Sequence, residues 1–164
     1  MEYNLPSQIV KNLDFGIDAK TKVISGVEKL AKAVKSTLGA SGKCVIYEDG
    51  RGKPVITKDG VTVADSVVLH DPVENIGATL IKEASKNTVK EAGDGTTTAI
   101  VLAESLIKEV NKEQYKDHSI RTIKNGIDKG LAQATVLLEK MSVKVKNSTL
   151  DHVSSISCNN DNQL

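Results

Sequence analysis

Glu91-Ala92-Gly93-Asp94-Gly95-Thr96-Thr97-Thr98-Ala99 sets a carboxylate between two glycines, directly ahead of three hydroxyl residues and a strongly apolar segment. Glycine lets a backbone turn sharply and come close to a ligand. A helix start presents unpaired N–H groups and a partial positive charge, so a helix opened by Gly and Thr can hold phosphate. Asp94 runs against that reading. A carboxylate about 4 Å from a phosphate oxygen is repelled by roughly 4 kcal/mol at an effective dielectric of about 20. A divalent cation between the two reverses the sign. The stretch therefore reads as a metal–nucleotide site with Asp94 as a Mg²⁺ ligand. It also reads as an ordinary helix start with Asp94 or Thr96 as N-cap. Three threonines in a row are poor helix formers, which tilts the balance only slightly. Other segments have to decide.

With 164 residues the chain is long enough for one domain that buries about 68–70% of its unfolded surface. Apolar residues make up 39% and aromatics only 2%, with no Trp and a single Phe, so the core must come from Ile, Val, Leu and Ala. Base-stacking platforms for nucleic acid are essentially missing. A net charge of +1 supplies no basic field toward DNA or membranes. The longest purely apolar run, Ala99–Ala103, is far short of a membrane span. No hydrophobic signal segment opens the chain, and Glu2 and Asp14 argue against a transit peptide. Cys44 and Cys158 lie far apart without metal-like spacing, so both read as buried or reduced thiols of a cytosolic protein.

Apolar positions Val23, Ile24, Val27, Leu30, Ala31, Val34 and Leu38 predict a helix over about 18–38, stopped by Gly39. Cys44–Tyr47 and Val55–Thr57 are strand-like around a hairpin loop over 48–54, with Cys44 expected to pack. Lys58-Asp59-Gly60 reads as a tight turn before a short β-branched segment. Asp71-Pro72-Val73-Glu74 reads as N-cap, N1 proline and N3 glutamate of a second long helix. The segment after Asp94 is apolar nearly all round, which predicts a helix inside a bundle. A last long helix spans about 119–141, and the pattern changes from residue 143, with a β-branched piece around Val153 and Ile156. His70, His118 and His152 share no helical face and read as surface or capping residues. The fold class expected is mostly α with a projecting β-hairpin.

Three turns share one kind of chemistry: Thr37-Leu38-Gly39-Ala40-Ser41-Gly42, Thr57-Lys58-Asp59-Gly60 and Gly93–Thr98. Alone, the first is equally a helix C-cap and the second a plain turn. Their order and spacing are specific. Together with Phe15-Gly16-x-Asp18-Ala19, Ile56–Val61, Glu74-Asn75-x-Gly77-Ala78, Ala92–Ala99, Gly126-Ile127-Asp128-Lys129 and Ile156-Ser157, the chain resembles the amino-terminal part of a group I chaperonin of the GroEL type.

The resemblance implies residues 1–142 as the amino-terminal half of an equatorial ATP-binding helical bundle and 143–164 as the start of an intermediate domain. Thr37, Leu38, Gly39 and Ala40 would line the nucleotide, with backbone groups of Thr37 and Lys58 near a K⁺ ion. Lys58 would lie beside the phosphates, Gly95, Thr96, Thr97 and Thr98 would cradle them, and Asp94 would hold Mg²⁺. Asp59 is similar to an acidic residue that assists ATP hydrolysis, while the main water-activating carboxylate of such chaperonins lies beyond residue 164. The implied partners are non-native polypeptides, a co-chaperonin lid and copies of the chain in a ring, heptameric and single or double. The hairpin would close that ring by pairing with a terminal strand of the neighbour. The implied place is the cytoplasm of a bacterium, or of a bacterial host for a virus-encoded chain, with no nucleic-acid or membrane partner.

Departures limit the transfer. Ala40 and Ser41 stand where the family has Pro and Lys, which removes a rigid φ and a charge near the phosphates. The loop Glu113–His118 is unusual, and residues 1–14 exceed the common amino terminus, with Pro6 in an irregular arm. The ending Asn159-Asn160-Asp161-Asn162-Gln163-Leu164 reads as truncation, leaving as a second expectation a non-hydrolysing remnant that binds nucleotide weakly or docks on intact rings. An unrelated small kinase or NTPase is disfavoured, because no GxxxxGK[ST] loop occurs.

Overall fold

The computed structural model describes residues 14–39 and 41–157. The expected amino-terminal arm, Ala40, Cys158 and the polar ending lie outside the described residues. Six α-helices, one 3-10 turn and one hairpin form in the order α1 (Gly16–Lys35), β1 (Val45–Glu48), β2 (Pro54–Thr57), α2 (Gly60–Ser66), α3 (Pro72–Ala92), α4 (Thr96–Val110), α5 (Ile120–Met141) and α6 (Asn147–Ser157). The 3-10 turn Glu113–Tyr115 precedes α5. Among the described residues no helix is long and apolar enough to cross a membrane. The chain forms two compact units, Met1–Glu113 and Gln114–Leu164.

In the first unit α1 packs chiefly on α3, α4 lies on both, and α2 lies on α1 and α4. The core is Val27, Leu30, Ala31 and Val34 of α1, Val63 and Ala64 of α2, Ala78 and Ile81 of α3, and Ile100 of α4. It contains no aromatic ring, as the composition required. Leu30 and Ile100 are both 0% exposed, and each contributes about 1.5–3 kcal/mol of apolar transfer.

Two glycines let α1 and α3 touch backbone to backbone. A Cβ on Gly26 would stand 1.8 Å from the Glu74 carbonyl oxygen, and one on Gly77 would stand 2.1 Å from that of Val23. The start of α3 is fixed as its sequence implies. Asp71 caps it, accepting from Val73 N at 2.8 Å and Glu74 N at 3.1 Å, with Pro72 in the first turn. Glu74 departs from the capping-box expectation. It reaches across to α1 instead, where its Oε1 accepts from Ser25 Oγ at 2.8 Å and Lys29 Nζ at 2.6 Å.

The structure differs from, or adds to, the sequence reading in five places. The first helix ends at Lys35, three residues before Leu38, because Ser36 and Thr37 turn their hydroxyls back onto the Ala33 and Val34 carbonyls. The β-branched stretch after Asp59 is helix α2, since only a helix buries Val63 and Ala64 together. Residues around Val153 and Ile156 also lie in a helix, α6. Cys44 is exposed, one residue ahead of β1. The segment after Asp94 does form a helix, but only one side of it is covered: Leu102 is 59% exposed and Leu106 49%.

The hairpin pairs β1 and β2 antiparallel, with Ile46 opposite Ile56 and Tyr47 opposite Val55. Its loop is tied by Asp49, whose Oδ1 accepts from Arg51 N and Lys53 N. In the second unit, Ser119 caps α5 by accepting from Thr122 N at 3.1 Å. Leu131, Leu138 and Met141 on α5 are exposed.

Candidate functional site

Three helix termini meet at Gly60. A Cβ there would lie 2.0 Å from Thr97 Oγ1 and 3.2 Å from Thr37 Oγ1. The loop after α1, the start of α2 and the first turn of α4 therefore touch through Thr37, Gly60 and Thr97. These are the three motifs that the sequence sets 23 and 37 residues apart. Gly60 was legible only as part of a turn; its buried position at the meeting point is a finding of the fold.

The first wall is a loop closed on itself. Lys43 N donates to Ser36 O at 2.7 Å and Gly42 N to Gly39 O at 2.9 Å, with Gly39 at φ 77°. Thr37 Oγ1 donates to Val34 O at 2.8 Å. Leu38 beside it is 46% exposed, an apolar surface next to polar walls.

The second wall follows the hairpin. Lys58 is exposed and makes no ion pair among the described residues. Asp59 caps α2. Its Oδ2 accepts from Thr62 Oγ1 at 2.6 Å and Thr62 N at 2.9 Å, and its Oδ1 from Val61 N at 3.2 Å. Partial burial acts to raise its pKa, but these hydrogen bonds outweigh it and hold the carboxyl below the usual range. Asp59 is thus ionised at neutral pH.

The third wall opens α4. Gly93 (φ 79°) ends α3 and Gly95 (φ 96°) stands at the N-cap of α4. Both sit in the left-handed region that favours glycine, so the tight reversal needs both. Asp94 between them is exposed, and its Oδ1 accepts from Gly95 N at 2.6 Å. The hydroxyls diverge: Thr96 is buried, Thr97 half-buried against Gly60, and Thr98 exposed.

Of the residues expected to bind nucleotide, the geometry joins Thr37 and Thr97 directly through Gly60. Lys58 and Asp59 adjoin Gly60 in sequence, and Asp94, Gly95, Thr96 and Thr98 flank Thr97. Mg²⁺ is usually held by one or two carboxylates plus substrate phosphates. The exposed, hard-oxygen Asp94 beside a helix start fits that pattern, and no group of three or more His, Cys, Asp or Glu competes as a metal cage among the described residues.

Depressed carboxylates predict the pH response. Asp71 is lowered mainly by its bond from Glu74 N, and Glu74 mainly by its bond from Lys29. Glu104 is lowered despite burial, by bonds from Lys108 and Lys35. With Asp59, all four have folded values below unfolded ones of about 3.9 to 4.3. Their stabilisation is fully present above that range and is lost as pH falls through the folded values. The expected denaturant midpoint is level from pH 7 to about 5 and drops below about 4; a midpoint that rises on acidification contradicts these assignments.

The model of the TCP-1/cpn60 chaperonin family matches residues 30–164, a span that holds all three walls. The chain belongs to the TCP-1/cpn60 chaperonin family, whose members act in protein folding.

Proposed function

We propose that the chain is a subunit of an ATP-dependent folding chaperonin of the GroEL type, and that Mg-ATP binds where Thr37, Gly60 and Thr97 meet. The observation that carries this reading is that contact, because it gathers a glycine loop, a lysine-carboxylate turn and a helix N-terminus at one point. Leu38 and Gly39 offer the base and sugar an apolar edge. Lys58 supplies a cation for the phosphates, and N–H groups at the start of α4 supply donors. Asp94 holds Mg²⁺, whose charge offsets that of the triphosphate. Asp59, kept ionised by its three hydrogen bonds, is the acidic group that assists hydrolysis. The Thr37 and Lys58 carbonyls are hard oxygen donors of the kind K⁺ takes.

Ring assembly in this reading uses the hairpin. Among the described residues both of its strands have an open edge, and Ile46 and Ile56, directly opposed, are 68% and 66% exposed. Strand addition by a neighbouring subunit would satisfy those edges. Non-native polypeptides, a lid partner, a seven-membered single or double ring and a bacterial cytoplasm complete the proposal.

Calorimetry with MgADP tests it. The wild-type chain is expected to bind, and Asp94→Ala to weaken binding at least tenfold, a loss of about 1.4 kcal/mol or more. The chain alone is expected to release little or no phosphate from ATP. Equal affinity of the Asp94→Ala variant, with and without Mg²⁺, would contradict the assigned role.

A further inference from the structure

Glu104 on α4 is the only charged side chain among the buried residues described, at 3% exposure. Its Oε2 accepts from Lys35 Nζ at 2.5 Å and its Oε1 from Lys108 Nζ at 2.8 Å. Lys108 lies one turn along the same helix and reaches Glu28 at 3.5 Å as well. Lys35 stands elsewhere, in the last turn of α1, two residues ahead of Thr37. The carboxylate is buried while the Lys35 and Lys108 side chains are 38% and 51% exposed, and taking a carboxylate out of water costs free energy that such pairing only offsets. Apolar residues would therefore serve the α1–α4 interface at least as well on folding grounds. What the pair adds is register: it fixes the end of α1 against α4 at one point. The walls Thr37 and Thr97 belong to those same two segments, and both hydroxyls crowd Gly60.

We propose that Glu104, acting through Lys35, is a positioning residue for the candidate nucleotide site. It holds the end of α1, and with it residues 36–39 and 41–43 of the loop, at the spacing from α4 that lets Thr37 and Thr97 flank one ligand. The proposal rests on the nucleotide reading above. It assigns different work to the two lysines: Lys35 sets the loop, whereas Lys108 helps neutralise Glu104 and reaches Glu28, two turns back along α1 from the loop.

The test uses the full chain with Glu104→Gln, Lys35→Met, Lys35→Arg and Lys108→Met. It reads amide exchange over 36–43 and calorimetric affinity for MgADP. Glu104→Gln and Lys35→Met are expected to speed loop exchange and weaken MgADP by about 3- to 30-fold. Lys35→Arg retains the charge and is expected to restore both, while Lys108→Met leaves both near wild type. The double variant Lys35→Met/Glu104→Gln should be no worse than either single one, since the two act as a unit. Equal effects of Lys35→Met and Lys108→Met on the loop, or no effect of either, overturn the proposal. A wild-type chain that takes up no MgADP overturns the nucleotide reading instead, and the exchange pattern still decides whether the pair holds the loop.

Discussion

Gly77→Ala is expected to weaken the fold by about 2 kcal/mol. The new Cβ would lie 2.1 Å from the Val23 carbonyl oxygen, 2.9 Å from its carbon and 3.1 Å from its Cα. All three are backbone atoms of α1, so no rotamer change relieves the clash. The helices must part by roughly 1 Å, which loosens Leu30, Ala31, Ala78 and Ile81 together. Overpacking of this kind costs about 1–3 kcal/mol, and more where backbone must move. Against it stands a helix-propensity gain of about 1 kcal/mol. With backbone forced to move, the cost falls at the upper end of that range, and the net loss of about 2 kcal/mol is a large share of an ordinary stability of about 5–15 kcal/mol. Gly26→Ala, 1.8 Å from the Glu74 oxygen, should behave alike. Gly130→Ala is the internal control: it lies within α5 with nothing inside 4 Å of its Cβ, and should stabilise slightly. Denaturant unfolding of the three variants decides. An unchanged midpoint for Gly77→Ala would falsify the backbone crossing.

Gly60→Ala is expected to separate binding from folding. Its Cβ would meet Thr97 Oγ1 at 2.0 Å and Thr97 Cβ at 3.3 Å, both side-chain atoms at the entrance of α4. Threonine on a helix has few χ1 choices, so Thr97 must turn to another well or α2 must shift. Alanine suits the first turn of α2 better than glycine, which offsets part of that cost. The unfolding midpoint should therefore move by about 1 kcal/mol or less, while MgADP affinity falls about tenfold or more. Combining it with Thr97→Ala removes the Oγ1 clash and should recover part of the loss. Intact affinity in Gly60→Ala would mean that the nucleotide does not bind at this junction.

How far the sequence reached follows from the range of each signal. The α3 start was legible to the residue, because Asp71, Pro72, Val73 and Glu74 act on their own backbone. The hairpin was legible within one residue at each end for the same reason. The sequence left elements unassigned where distant packing outvotes local propensity. Val61-Thr62-Val63 is β-branched, yet Val63 is wanted in the core and Asp59 is in place to cap a helix. At the site, the turns were legible, but the partner of each was not. Ser25 and Glu74 are 49 residues apart, and Lys35 and Glu104 are 69 apart. No periodicity carries such a pairing, and nothing local marks Glu104. Gly60 hid within a turn for the same reason, since what crowds it is Thr97.

A core built wholly from aliphatic side chains leaves the molecule almost silent optically. There is no indole, the lone phenylalanine is on the surface, and three tyrosines are the only other chromophoric side chains. A purine arriving at the Thr37 wall would thus dominate near-ultraviolet absorbance, exposing copurified nucleotide in a simple spectrum. One tryptophan introduced at Leu38 would then report ligand arrival by fluorescence against a dark background.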